Sequence, residues 1–577
     1  MKRHLLSVLF LSFALQSLSQ SVQWAQSITN LNQPDQVLDY DTNDQDRMVL
    51  LGQATAGSNI ALLDNASQVL SNTLYFVAVY NSQAELLWSA PTVGFPYTVM
   101  MNDNGEVFVV GGSYSIQDFD PTEEVQNVDL GTGALYVQKL SASGELEWVG
   151  TTTLATNAAS VCESSDGRIF VSGIYYEGST VTLADGSSVE MTRGADILEF
   201  SSVGELNGCY SLDVPDQIDY INVFEIECRN NKLVVVGDLD GICDFDPGAG
   251  VSNNQETAAY DGFIASYDVS NGCVLEWNKI FRGNSWEECN AVRIDDDNNV
   301  YVGGGFTFTT DFDYEAAPGA WTLFSDSNTN LMSAFFARIN ANGDFEWLKK
   351  AGADNESLEV GGIWTKDLEL KDGGIVALIE GYGRIYMDGT ITSTPIQLGA
   401  VAAPGYMVAE YDNSGMFESV AKADTTGEGV DSFCGVFPKR LKRLSSNRFA
   451  VAGNFMQFIN FGTTQNPLVL TNDQSSPNFG FDRDIFIACY IGSAGLGVQQ
   501  TSLLSENVKM VNPMRNELVL FAENQQIDYV LVHSAQGIQV ASGITNRLDV
   551  RNLTPGVYIV QVRMKDGSWL SGRVLKD

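Results

Sequence analysis

The feature that most constrains this chain is a pair of β-hairpins that recurs along it from about residue 22 to about residue 492. A repeat of this kind outranks any local reading, because each unit cannot bury its apolar face alone and must stack on its neighbours. The fifth copy is the clearest: Asp261-Gly-Phe-Ile-Ala-Ser-Tyr-Asp leads to Trp277, and Ala291-Val-Arg-Ile-Asp-Asp-Asp-Asn-Asn-Val-Tyr-Val-Gly-Gly follows. Apolar residues alternate on both sides of Asn, Asp and Gly turns, the pattern of half-buried hairpins. The first hairpin recurs from Phe76 to Trp88, Tyr136 to Trp148 and Phe335 to Trp347, with a constant spacing of twelve. Weaker copies begin near Asp196 and Met407, with Gly208 and Ser419 in the tryptophan slot. The second hairpin gives Met48 to Gly52, Val107 to Gly111, Ile169 to Gly173, Leu233 to Gly237, Val300 to Gly304 and Phe449 to Gly453, while a copy at Ile375 to Ile379 lacks the glycine. Seven residues beyond each of those glycines stands Asn59, Asp118, Thr180, Asp244, Asp311 or Asn460, side chains that cap local backbone groups in turns.

Seven second hairpins require seven first hairpins, yet only six are complete. Trp24 lacks a preceding strand and Asp484 to Tyr490 lacks a following one. The two halves complete each other if the segment around Gln23 and Trp24 pairs with Ile485-Phe-Ile-Ala-Cys-Tyr, closing a ring that leaves only short, protected sheet edges. The expected fold is therefore all-β: a seven-bladed β-propeller over 20–495, closed by its N- and C-terminal strands. The unit resembles the bacterial β-propeller repeat with the pattern D-x-F-V-A, a glycine turn and Trp, then V-D-x-x-G-N-x-Y-V-x-G. That resemblance implies a seven-bladed ring on extracellular or cell-surface proteins and implies no single ligand or reaction. The period of about 60 to 80 residues exceeds the ~40–45 of compact blades. The excess falls in the segments Ser113 to Gly133, Ile174 to Ala195, Asp238 to Tyr260 and Phe306 to Leu331, and long loops on a rigid scaffold are where binding resides.

Residues 1–19 read as a signal peptide: Lys2 and Arg3, an apolar run from Leu5 to Leu15, then Ser17 and Ser19. No later apolar run is long enough to cross a bilayer as a helix. The leader carries +2 and the segment from Thr501 onward +1, so the formal net charge of −40 leaves −43 between them. So acidic a surface repels nucleic-acid phosphate and favours cations, basic partners or simple solubility. Eight cysteines in an exported chain permit disulfides without fixing their connectivity; Cys209 with Cys228 is the pairing we would choose.

Beyond a linker at 496–506, residues 507–577 carry six or seven short alternating strands with frequent turns, as a small Ig-like β-sandwich would. The segment resembles the type A C-terminal sorting domain of the Bacteroidetes type IX secretion system. The matching positions are Asn512 and Pro513 at its start, Gly537 and Val540, then Leu553, Gly556 and Tyr558, and the basic end at Lys576. Val-Asn-Pro stands where the family opens with Tyr-Pro-Asn-Pro. The resemblance implies passage through the outer membrane by the type IX machinery, followed by release or surface anchoring.

Apart from His4 in the leader, the one histidine is His533, inside that tail. A His-based triad, a His-rich zinc site and a His general base in the repeat region are thereby excluded. Carboxylates remain, so a glycoside hydrolase or lyase working with an Asp/Glu pair is one alternative to a binding or adhesion module for an extracellular protein or glycan. Calcium is the candidate cofactor, since hard cations take oxygen ligands. The Asp-Phe-Asp triplets offer Asp118 with Asp120, Asp244 with Asp246 and Asp311 with Asp313, and a calcium-stabilised structural protein is the third reading. The competing role for these aspartates is turn capping. The acidic run Asp39 to Asp46 is expected to be a solvated turn. The tryptophans in the repeat slot are packing residues, whereas Trp286, Trp321 and Trp364 lie outside it and either bind or cover the core.

Overall fold

The computed structural model describes residues 21–576 except for 29–34, 55–57, 61–74, 153–156, 175–179, 216–219, 253–259, 326–331, 354–361, 388–394, 400–402, 426–434, 445–447, 462–467, 472–482 and 493–499, and the single residues 123, 192, 249, 284 and 318. In the tail it also leaves out 506–507, 513–516, 523–526, 535–538, 545–546, 554–555 and 566–568. The leader therefore lies outside the described residues. The described chain is all-β without a helix, so no helix is long and apolar enough to cross a membrane. It divides into two compact units, 1–490 and 491–577.

The first unit consists of successive antiparallel four-strand groups, here numbered as sheets one to seven with strands first to fourth in pairing order. Sheet one is Gln36–Thr42, Met48–Gln53, Tyr75–Tyr80 and Leu86–Pro91; sheet two is Phe95–Met101, Val107–Ser113, Ala134–Leu140 and Leu146–Thr151. Sheet three is Asn157–Glu163, Ile169–Ile174, Gly194–Phe200 and Leu206–Asp213; sheet four is Tyr220–Arg229, Lys232–Asp240, Asp261–Asp268 and Val274–Phe281. Sheet five is Glu287–Ile294, Val300–Phe306, Ser333–Ile339 and Phe345–Ala353; sheet six is Gly362–Lys371, Gly374–Tyr386, Gly405–Asp412 and Phe417–Ala423. Pairing of Gly352 and Ala353 with Tyr386 and Ile385 joins sheets five and six edge to edge. Sheet seven takes Val436–Leu444, Arg448–Phe455 and Asp484–Ile491 from late in the unit and Ser21–Ile28 from the start of the chain. The first strand of each sheet lies against the first strand of the next, and that of sheet seven lies against that of sheet one.

Three sequence signals account for this regularity. Each first strand slips register by a residue or two against its second strand, between Val37 and Asp39, Pro96 and Thr98, Ala158 and Val161, Val223 and Glu225, Cys289 and Ala291, Thr365 and Asp367, and Pro438 and Arg440. Bulges of this kind bend a strand and re-aim the side chains beyond them. The recurring second-strand glycine sits opposite the bulge. A Cβ on Gly237 would stand 1.8 Å from the Asn222 carbonyl oxygen, and one on Gly304 1.9 Å from that of Glu288 and 2.8 Å from the Phe335 ring. In sheets one, two, four and five the residue across is aromatic, in sheet three Gly173 faces Asp196, and in sheet six Ile379 faces Met407.

The second signal is the tryptophan slot. Trp88, Trp148, Trp277 and Trp347 each lie over a left-handed glycine in the outer turn of the next sheet: Gly144, Gly204, Gly343 and Gly415. Three of the four indoles also donate to a carbonyl of that turn, Trp88 to Ala142 at 3.1 Å, Trp277 to Ala341 at 3.2 Å and Trp347 to Asn413 at 2.9 Å. The two exceptions follow from the same geometry. Gly208 lies against the Tyr210 ring, and nothing meets the Cβ position of Gly272, the glycine of the next turn. Ser419 would face sheet seven, whose third and fourth strands belong to opposite ends of the unit and so have no turn for an indole to cover. Trp24 shares a core cluster with Ala84, the left-handed turn residue of sheet one.

The third signal is the Asp-Phe-Asp segment between second and third strands. Phe119, Phe245 and Phe312 are buried, and their rings pack against Tyr136, Phe263 and Phe335 on the third strands. Fully burying such a ring contributes about 1.5–3 kcal/mol. Beside them, Asp244 exchanges backbone hydrogen bonds with Asp213, Asp311 with Arg282 and Asn460 with Asp424, each time bridging to the end of the preceding sheet. The long connections then form small hairpins: Ile116–Asp118 with Asn127–Asp129, Thr180–Thr182 with Ser188–Glu190, Thr309–Asp311 with Thr322–Phe324, and Phe458–Asn460 with Val469–Thr471.

The second unit has two four-stranded sheets, one of Gln500–Ser505, Val508–Asn512, Glu517–Ala522 and Arg547–Asp549, the other of Gln539–Gly543, Ile527–Ser534, Gly556–Met564 and Trp569–Lys576. Leu518 and Leu520 of one share a core with Val530, Val532, Val560 and Val562 of the other. Residues 500–505, expected as linker, are a strand of this unit.

Candidate functional site

Where the seven first strands meet, each still has an edge of backbone N–H groups with no strand beside it, and such groups are costly when buried unsatisfied. Side chains from the neighbouring first strand supply the acceptors. Asp39 Oδ2 accepts from Val99 N at 3.0 Å, Ser160 Oγ from Ile226 N at 3.2 Å, Glu225 Oε2 from Val292 N at 2.9 Å and Asp367 Oδ2 from Leu441 N at 2.9 Å. All four acceptors lie at or just beyond the bulge of their strand, which turns them toward the next.

The cations inserted among these carboxylates knit the sheets together. Arg293 binds Glu225 at 3.0 Å, Asp367 at 2.8 Å and Glu369 at 2.9 Å. Arg440 binds Asp39 at 3.0 Å and, from sheet seven, Glu225 of sheet four at 3.1 Å. Lys442 pairs with Asp41 at 3.4 Å. Burial by itself would raise the Asp39 carboxyl, but the Arg440 and Lys439 charges and the Thr98 and Val99 donors hold it below its ordinary value. Glu225 is lowered in the same way, against its burial, by Arg293, Arg440 and Lys442. At Asp367 and Glu369 burial wins and both are raised. The run from Asp39 to Asp46 is thus divided. Asp39 is buried and ion-paired, correcting its expectation as part of a solvated turn, and the turn itself begins at Asn43, whose Oδ1 caps Gln45 N and Arg47 N.

A cavity of about 580 Å³ lies over this network and draws its walls from all seven first strands and their turns. Ten carboxylates and six basic side chains line it. Every one of the six bases is already paired: Arg293, Arg440 and Lys442 as above, Arg229 with Asp296, Lys371 with Glu410 and Glu418, and Arg443 with Asp372. Glu227 is different. It projects from the strand two residues beyond Glu225, forms no hydrogen bond or salt bridge among the described residues, and is pushed up to about 7 by burial that outweighs Arg293 and Lys442. Beside it, Cys228 is disulfide-bonded to Cys162 of the neighbouring first strand. This corrects the expected Cys209–Cys228 pairing: Cys209 lies on a fourth strand as a free thiol, whereas 162 and 228 occupy adjacent first strands with Cα atoms 5.6 Å apart.

A second feature lies between sheets four and five. The rings of Tyr220, Tyr260 and Trp286 follow one another at 5.4 and 5.5 Å, with Trp286 49% exposed. The residues after two of those rings, Asp261 and Glu287, are buried and hydrogen-bonded to each other. Burial first, and then the Asp261 carboxylate, carry Glu287 to about 8 against the Thr310 hydroxyl, while burial first, and then Asp240, carry Asp261 to about 7 against the Gly283 amide, Arg282 and the hydrogen bond from Glu287. Trp321 instead covers the core, its ring 5.3 Å from that of Phe345.

The triplet aspartates act on their own loops. Asp118 Oδ1 accepts from Asp120 N and Gln126 N, Asp120 Oδ1 from Thr122, Asp244 Oδ1 from Asp246 N and Ser252 N, Asp246 Oδ1 from Gly248 N, and Asp311 Oδ1 from Asp313 N. Asp313 is salt-bridged to Lys279 at 3.0 Å. Among the described residues no three acidic, cysteine or histidine side chains come together as a metal group. In the tail, Asn512 ends a strand, Val540 is 38% exposed on a strand, Leu553 is half-buried after Val550, Gly556 opens the strand that carries buried Tyr558, and Lys576 is buried on the last strand. Pro513 and Gly537 lie outside the described residues. Sequence reasoning missed Glu225, Arg293, Asp367 and Arg440, which come together only across different sheets.

No family model matches the chain and no curated protein matches it. Solved structures are similar to it at low identity. A polysaccharide lyase described as an ulvan lyase is 10% identical, over 75% of this chain and 93% of that one, with a TM-score of 0.36. A member of the duf4221 family from Bacteroides vulgatus is 9% identical, over 62% and 92%, with a TM-score of 0.26. The extracellular domain of a hybrid two-component system protein from B. thetaiotaomicron is 10% identical, over 96% and 100%, with a TM-score of 0.16. Likenesses this distant carry no argument about activity.

Proposed function

We propose that residues 20–495 form a closed seven-bladed β-propeller acting as a binding or adhesion module for an extracellular protein or glycan, outside the cell or on its surface. Support for the ring comes from the circular sequence of first-strand contacts and from a seventh sheet shared by both ends of the unit. In this reading the leader at 1–19 and a sorting sandwich at 507–577 send the chain through the type IX machinery. The resemblance at Asn512, Gly556, Tyr558 and Lys576 supports that, and a chain ending at residue 506 is expected to accumulate in the periplasm.

The observation that carries the receptor reading is the state of the cavity charges. All six bases are spent on carboxylates, and the floor carboxylates are spent on backbone amides. A wall whose bases are all paired is a rigid receptor, with no base held beside a nucleophile. Screening the purified chain against glycans and extracellular proteins is expected to give binding without turnover. New reducing ends or unsaturated sugar products would overturn this in favour of a carboxylate-dependent glycoside hydrolase or lyase, which the Asp261–Glu287 pair beneath the exposed rings favours. Calcium would have to use the second carboxylate oxygens of the triplet aspartates; a melting temperature that chelator leaves unchanged counts against that role.

A further inference from the structure

We infer that the cavity at the turn end of the first strands binds a small organic ammonium ligand of the polyamine class, with Glu227 as its anchoring carboxylate. The inference rests on the receptor reading of the first unit and names the chemistry its central site would accept. A volume of about 580 Å³ lies within the ~300–1,000 Å³ of small-molecule sites. The excess of ten acids over six bases sets the sign of the ligand, since an anion would meet a net negative wall.

Position within the wall singles out Glu227. Glu225, two residues earlier on the same strand, is consumed by Arg293, Arg440 and the Val292 amide. Glu369, across the cavity, is consumed by Arg293. Glu163, on the adjacent first strand, takes a hydrogen bond from Asn102. Glu227 lines the same space, half-buried, and has neither a donor nor a counter-ion of its own. The Cys162–Cys228 bridge fixes its strand to the neighbour carrying Glu163, so the anchor is held in place before a ligand arrives. An ammonium group fits better than a metal ion. The wall acids form no three-ligand group among the described residues, whereas one ammonium needs one carboxylate and a few polar acceptors. Asp103 at the mouth is such an acceptor.

Ligand binding would draw Glu227 fully into its charged form. Because its carboxyl lies at about 7 in the free protein, binding at neutral pH releases part of a proton to the buffer. Isothermal titration of the full chain with spermidine and putrescine, in two buffers of different ionisation enthalpy, reads both affinity and that release. The expected result is saturable binding with proton release, no binding of the uncharged isostere 1,4-butanediol, and a roughly tenfold to hundredfold affinity loss in Glu227→Gln together with loss of the release. Glu227→Gln removes an unpaired charge, so its melting temperature is expected to match or exceed the wild type and shows that the variant folds. Spermidine binding equal in wild type and Glu227→Gln, or absent from both, overturns the inference. If amines fail while a glycan or protein still binds without turnover, the ammonium assignment falls and the receptor reading stands. If sugar products appear instead, the receptor reading falls.

Discussion

Replacing single turn glycines separates the tryptophan contact from ordinary backbone strain. Gly343 and Gly272 occupy the same place in the outer turns of sheets five and four, at φ of +92° and +87°. Alanine at either position must hold a left-handed backbone, which costs about 1 kcal/mol. At Gly272 the new Cβ meets nothing within 4 Å, whereas at Gly343 it would stand 2.9 Å from two ring atoms of Trp277. That indole cannot withdraw freely, because its Nε1 donates to the Ala341 carbonyl at 3.2 Å. Overpacking of this kind adds about 1–3 kcal/mol. Gly272→Ala should therefore cost about 1 kcal/mol and Gly343→Ala about 2–4 kcal/mol. Denaturant unfolding of both variants in the full chain measures the difference. Repeating Gly343→Ala in a Trp277→Ala background should return its cost to that of Gly272→Ala, since the two residues then no longer share a contact. Equal losses at the two glycines, or an excess that survives without the indole, would refute the proposed contact between sheets.

Other consequences are as direct. Cys162→Ser should lower stability by about 2–4 kcal/mol, and reductant should lower the wild type but not the variant in thermal melts. Arg440→Met removes the ion-pair partner of Asp39 and leaves its buried charge facing Lys439 alone, and is expected to cost about 3–5 kcal/mol in unfolding experiments. The folded chain keeps a proton on Glu287 up to about 8, whereas the unfolded chain gives it up near the ordinary 4.5, so this group removes stability as pH rises through that window. Wild type should consequently lose more melting temperature across that range than Glu287→Gln, and parallel pH curves would contradict the shift.

The repeat was legible in the sequence because its signals are local: a tryptophan twelve residues after an aromatic, a glycine after a second strand, a turn residue seven further on. Their causes were not legible, since each lies in a different sheet. The glycine of one turn answers to the tryptophan of the preceding sheet, and Ser419 stands where there is no turn to cover. The candidate site was hidden for the same reason. Arg293 meets Glu225 and Asp367 across separations of 68 and 74 residues, and Arg440 meets Glu225 across 215. No spacing in the chain announces such contacts; they become visible only once the bulges aim one side chain per strand at its neighbour. The disulfide belongs to the same class, since Cys162 and Cys228 become adjacent only when their first strands do.

Native-state hydrogen exchange on residues 21–28 tests the closed ring most directly. If these residues are the fourth strand of the sheet formed with 484–491, their hydrogen-bonded amides should exchange as slowly as those of Ile485 to Tyr490, and deleting the segment should expose both. Fast exchange in 21–28 beside full protection of 484–491 would contradict a ring sealed by its own two ends.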